Sequence, residues 1–175
     1  CLMVFQSSYL FAWNIEGLGN YKFEPINTDN TVYVMHGPLG EPTKQNQGFM
    51  NNPAIIIAKS GIIVIDPGST YSVGIEVLKE IKKISLKPVI AVFNTHIHGD
   101  HWFANQAFKE AYPNAKFYGS KKMIEQANGE KAITWLNSMH RMTEGLSKNT
   151  IITPPDLVTH HRQTILVDNQ VFFNL

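Results

Sequence analysis

The chain alternates short apolar runs with amphipathic stretches, and the two periodicities separate its strands from its helices. Residues 31–36 (Thr-Val-Tyr-Val-Met-His) are rich in β-branched and aromatic side chains and run into Gly37-Pro38, which predicts a strand closed by a turn. The polar stretch 38–52 contains Gly40, Pro42 and Gly48 and reads as a long loop, a feature often tied to function. The apolar runs 54–58 and 62–65 flank Lys59-Ser60-Gly61 and predict a hairpin of buried strands, terminated by Asp66-Pro67-Gly68. Ser69 or Thr70 can cap the next segment, where Val73, Val77, Leu78, Ile81 and Ile84 recur at helical spacing. Lys79, Lys82 and Lys83 crowd its last turns, which suits the helix dipole.

After Pro88, residues 89–93 predict a buried strand, followed by a loop over 94–101 and a short helix to about Ala111 that Pro113 closes. Residues 115–118 are a further strand candidate. Residues 121–142 are expected to be mainly helical, with a weak point at Asn128-Gly129. Pro154-Pro155 breaks the chain, and 164–167 with 171–173 resemble a final hairpin around Asp168-Asn169. This order of elements predicts an α/β fold.

Composition narrows the function classes. Hydrophobic residues make up 43% of the 175 and charged residues 17%, the balance of a globular domain with one core. The net charge is +1, which offers neither a phosphate-tracking surface for nucleic acid nor a basic face for an acidic membrane. Cys1 is the sole cysteine, so an intrachain disulfide and a four-cysteine zinc module are both excluded. Residues 1–13 are apolar, uncharged and too short to span a bilayer. They read either as the tail of a secretory signal, with Ala12 near the cleavage point, or as a hydrophobic arm or edge strand. The first reading places the protein in the periplasm or outside the cell, with the cytoplasm left open. The expected division is an arm or signal remnant over 1–24 and one domain over 25–175.

The chemistry concentrates in Thr95-His96-Ile97-His98-Gly99-Asp100-His101, where three of the seven histidines fall within six residues beside an aspartate. Imidazole and carboxylate are the ligands that zinc and related divalent cations accept. In an extended loop, side chains two apart project to one side, so His96, His98 and Asp100 can converge. Gly99 permits a sharp turn that lets His101 join them. So short a stretch does not readily form one regular tetrahedron. Two adjacent metals divide it more easily, with His96 and His98 on one and Asp100 and His101 on the other.

Thr-His-x-His-x-Asp-His between a strand and a helix resembles the signature of the metallo-β-lactamase fold hydrolases. The resemblance extends upstream, where Ile-Ile-Val-Ile-Asp-Pro-Gly over 62–68 is similar to the strand of that family that ends in an aspartate. It implies that Asp66 lies beneath the metal loop and holds its backbone or ligands by hydrogen bonds. The continuation Trp102-Phe103-Ala104-Asn105 departs from the Gly-Gly often found there. It is similar to the form in periplasmic members linked to quinoprotein or sulfur-oxidation systems.

The resemblance implies a metallo-β-lactamase-like αβ/βα sandwich. It also implies further ligands, one histidine for the first metal and an aspartate or cysteine plus a histidine for the second. His160 and His161 do not fit the family's later loop and read as surface residues, so the chain is expected to be the N-terminal half of the domain and inactive alone. The implied activity is a zinc-dependent hydrolase with about two Zn2+ ions, whose activated hydroxide attacks an ester, thioester, lactam or similar bond of a small molecule. Asp100 is the expected catalytic group, ligating and orienting the nucleophile, and the substrate-binding residues are unknown. A non-catalytic metal-binding module and an iron-dependent oxidoreductase on the same fold are the alternatives.

Remaining candidates divide between site and packing. His36 sits at a strand end and lines a pocket or is merely satisfied there. Phe49 and Met50 form an apolar flap or pack on the body, and Trp102 walls the site or packs beneath it. His140 is expected to be exposed on its helix.

Overall fold

A computed structural model describes residues 18–173. The expectations for Cys1 and for a signal remnant ending near Ala12 lie outside the described residues. Seven strands form one sheet in sequence order: β1 (Phe23–Pro25), β2 (Val32–Met35), β3 (Ala54–Ile57), β4 (Ile62–Ile65), β5 (Val89–Phe93), β6 (Lys116–Ser120) and β7 (Leu157–Thr159). The first four make an antiparallel meander, and β4 to β7 run parallel. Parallel neighbours need crossovers, and the helices supply them. Helix α1 (Tyr71–Ile84) links β4 to β5, α2 (Asn105–Ala111) lies between β5 and β6, and α3 (Lys121–Ala127) with α4 (Glu130–Met142) joins β6 to β7.

Burial follows the sequence pattern. Ile62, Ile63 and Val64 on β4 and Ala91 and Val92 on β5 are covered on both faces, as unbroken apolar runs in parallel strands require. On one face, Val73, Val77, Leu78 and Ile81 of α1 meet Ile55, Val64, Val92 and Phe117 of the sheet, with Phe108 of α2 beside them. Thr70 caps α1 by accepting a hydrogen bond from Val73 N at 3.2 Å. Gly74 lets the two helices approach closely, because a Cβ there would meet Ala107 Cβ at 2.9 Å. On the other face, Ala58, Ile63 and Ala91 pack with Ile90, Phe93, Tyr118 and Val167. Val167 belongs to the hairpin β8 (Thr164–Val167) and β9 (Gln170–Phe173), whose turn residues Asp168 and Asn169 both hold left-handed backbone, φ 49° and 66°. Ser60 N donates to Asp168 Oδ2 at 2.6 Å and ties this hairpin to the β3–β4 turn.

Several elements differ from the sequence reading. The boundary expected at residue 24 falls inside β1, and Leu18 and Phe23 are buried in the main core. Strand β1 ends in a proline, which an edge strand tolerates, and β7 exposes Leu157 and Val158; neither shows an alternating pattern long enough to read. Phe49 is 1% exposed and packs edge-on against Tyr21 at 5.0 Å, so it is core and not a flap. His140, expected to be exposed, is half-buried, and its Nδ1 lies 2.6 Å from Ser147 Oγ. His36, His160 and His161 are exposed. The break at Asn128-Gly129 divides the long helical stretch into α3 and α4. Among the described residues, no helix is long and apolar enough to cross a membrane.

Phe117 is fully buried where β6 meets α1 and α2. Phe117→Ala is expected to lower the unfolding free energy by about 3–5 kcal/mol, read from the denaturant midpoint at unchanged slope.

Candidate metal centre

The parallel pairing of β4 and β5 builds the site. Ile65 is in register with Phe93, and Asp66 N donates to Phe93 O at 2.9 Å. The residues that leave the two strands at their carboxyl ends, Asp66 and Asn94-Thr95, are therefore neighbours, in the position where open parallel sheets place their ligands. Asp66 leaves β4 in left-handed backbone (φ 50°), a conformation that aspartate tolerates better than most residues. Its buried carboxylate grips the loop. Oδ1 accepts from Thr95 N at 2.8 Å, and Oδ2 accepts from Thr95 Oγ1 at 2.7 Å and from His101 Nδ1 at 2.8 Å.

A second clamp closes the far end of the loop. Asn94 and Asn105 exchange side-chain hydrogen bonds at 3.1 and 2.7 Å, both amides buried. Asn94 Nδ2 also donates to His101 O at 3.4 Å, and Asn105 Nδ2 to Thr153 O at 3.1 Å. Trp102 is fully buried and donates its indole N–H to Ile97 O at 2.8 Å, so it packs beneath the loop and is not a wall of the site. Gly99 allows this close fit, because a Cβ there would meet the Phe103 ring at 2.2 Å.

On this floor the candidate ligands gather. The His96 ring lies 4.7 Å from His98 and 4.0 Å from His101, centroid to centroid. His101 Nε2 is 3.1 Å from Asp100 Oδ2. Asp66, His96 and His101 offer ligand atoms that all lie within 4.8 Å of one another. His98 is the most exposed of the group and leans on Trp135 of α4 at 5.0 Å. Of the five residues singled out in the sequence, the structure groups the ligand atoms of Asp66, His96 and His101, with Asp100 set against His101 and His98 against His96 at the edge of that group. Of the two pairs expected, Asp100 and His101 are in direct contact, while the His96 ring lies nearer to His101 than to His98.

Charge at the site is shared unevenly. Burial alone would lower the His101 imidazole, but hydrogen bonds to Asp100 and Asp66 and the fields of both carboxylates outweigh it and push it up to about 9. For Asp100, burial works upward, yet the hydrogen bond and charge of His101 hold its carboxyl below the usual range. His96 is lowered by burial and then by its imidazole neighbours His101 and His98. The His101 imidazolium therefore sits between two carboxylates, its Nδ1 proton donated to Asp66 and its Nε2 proton towards Asp100, and a cation at Nε2 would displace the latter.

Sequence reasoning missed Asn94, Asn105 and Trp135. Asn105 stands at the start of α2, where its amide reads as an ordinary helix-start residue. The contact of Trp135 with His98 depends on how α4 folds back over the loop, which no local pattern encodes.

The family described as Metallo-beta-lactamase superfamily matches residues 47–172. A probable metallo-hydrolase of Streptococcus pyogenes is 31% identical over 98 residues, 56% of this chain and 37% of that protein. A hydroxyacylglutathione hydrolase of Gloeothece citriformis is 29% identical over 98 residues, 56% of this chain and 29% of that protein. The chain thus spans well under half the length of these relatives. Among solved structures, a metallo-beta-lactamase from Pontibacter korlensis superposes with a TM-score of 0.60 at 18% identity, over 86% of this chain and 58% of that one.

His101 carries a folded-state value raised above 6.5 to about 9, so the stability it contributes is fully present below pH 6.5 and lost as pH rises through 9. The metal-free protein is accordingly expected to lose thermal stability across that window. Asp66→Asn should flatten the profile and bring the His101 midpoint down, as followed by NMR of the imidazole.

Proposed function

This chain belongs to the metallo-beta-lactamase superfamily, and from that premise we propose that the protein is a zinc-dependent hydrolase of small molecules. His96, His98, Asp100 and His101 are its metal-holding side chains, and Asp66 holds them in place. One observation supports the reading: the rings of His98 and His101 both lie against that of His96, on a loop whose backbone and one of whose rings are pinned by a single buried aspartate. The donors fit a borderline-soft divalent cation, because nitrogen and oxygen are present and thiolate is absent from the cluster. Bound there, zinc supplies a Lewis acid and lowers the pKa of water toward about 7.

The chain's own residues set the geometry for that chemistry. Asp66 accepts the Nδ1 proton of His101, which fixes the tautomer and leaves Nε2 facing Asp100. The carboxylate that stays ionised through its contact with His101 is Asp100, and it is the group to orient the attacking water. Thr95 Oγ1, donating to Asp66, lies 2.9 Å from His96 Nδ1 and restricts that ring as well. The bond cleaved is an ester, thioester, lactam or similar bond, a range supported by relatives named as a hydroxyacylglutathione hydrolase and a metallo-beta-lactamase.

His96→Ala and His98→Ala, made in the intact protein, are each expected to lower ester or thioester hydrolysis by more than about a hundredfold and to reduce bound zinc. Undiminished activity in either variant would refute the assignment. Elemental analysis after anaerobic purification should find zinc; iron in its place would favour the oxidoreductase alternative.

A further inference from the structure

Beside the metal loop, a groove of about 290 Å3 opens between α3 and the first turn of α4. Its walls include Thr95 and His96 from the loop, Ser120 from the end of β6, and Lys122, Gln126 and Lys131 from the helices. Lys131 also lines a second groove of about 350 Å3 along α4, together with Trp135, whose ring leans on His98. The two grooves therefore meet at Lys131, next to two of the candidate ligands.

The charge of this groove is unbalanced. Both lysines are exposed, and neither makes an ion pair with a carboxylate among the described residues. The neighbouring cation Lys121 does have one, in Glu125 at 3.9 Å. The groove's other polar walls, Ser120, Gln126 and Thr95, are neutral. Two lysines thus line a cleft that begins at His96 and contains no acidic group among the residues lining it. Such a cleft raises the local concentration of anions and orients them by point-charge contacts.

We propose that Lys122 and Lys131 are specificity-determining residues that select a substrate carrying an anionic group, a carboxylate in the simplest case, a few bonds from the scissile bond. This rests on the hydrolase reading for its catalytic end. The anionic group lies in the groove, hydrogen-bonded by the two ammonium groups and by Ser120 and Gln126. The scissile bond then falls at the end of the groove where His96 stands. The groove's volume admits an acyl chain of a few carbons.

Calorimetric titration of the intact protein, as purified, with glutarate and with glutaramate tests the groove without turnover. Both ligands bring one carboxylate to the centre, and only glutarate has a second for the lysines. Glutarate is expected to bind about fivefold more tightly, the upper order for exposed ion pairs. The ratio should fall in Lys122→Gln and in Lys131→Gln and reach about one in the double variant, at unchanged metal content. Arginine at both positions should restore it. A ratio near one in the unaltered protein, a ratio preserved in the double variant, or binding of neither ligand would overturn the proposal. Hydrolysis of a neutral ester, assayed in the same preparation, reports separately on the hydrolase reading, so either can fail while the other stands.

Discussion

The Asp66 carboxylate accepts three hydrogen bonds from the chain that leaves the neighbouring strand, and the geometry of the candidate centre depends on them. A buried carboxylate without donors would cost several kcal/mol, so in this fold the loop over 94–101 must adopt the path that supplies them. Satisfying the buried charge and shaping the loop are one constraint. The parallel register of β4 and β5 sets the carboxylate beside Thr95, and the left-handed residue at the strand end supplies the turn. The same group that fixes the backbone at Thr95 also fixes the ring of His101, six residues further on. The two ends of the cluster are therefore held against a common anchor.

The packing below makes that anchor effective. Trp102 and Phe103 fill the space under the loop, with Met123, Ala127 and Ala132 of the α3–α4 pair against them. The reciprocal amide pair of Asn94 and Asn105 joins the first residue of the loop to the helix after it. A cation held at this site would require little reorganisation of Asp66, His96 and His101, whose ligand atoms already lie within 4.8 Å of one another. The one adjustment would be loss of the Nε2 proton that His101 directs at Asp100, which would link cation binding to pH.

Much of this was legible in the sequence, for physical reasons that can be located. Strands β4 and β5 are unbroken apolar runs, as strands covered on both faces must be, and α1 shows a full helical period with its cap. The ligand cluster was legible because six residues suffice to write it. Strands β1 and β7 were not, since each is three residues long and lies at an edge of the sheet. Phe49 sits in a polar stretch and enters the core only because the long loop folds back over α1, a long-range event that leaves no local period. The same holds for Trp135 and Lys131: helical periodicity finds their helix but not the side of the metal loop on which it lies. His140 was misplaced because its partner Ser147 follows the helix end, where the chain turns back.

The central claim is that His96, His98, Asp100 and His101 form a cation cradle held from below by Asp66. Anomalous diffraction at the zinc edge from crystals of the zinc-loaded protein addresses it most directly. One peak or two are expected at roughly 2.0–2.2 Å from nitrogen or oxygen atoms of those four residues, with Asp66 still hydrogen-bonded to Thr95 and His101. A peak coordinated by Asp66 in their place, or zinc bound elsewhere while the four side chains point apart, would contradict it.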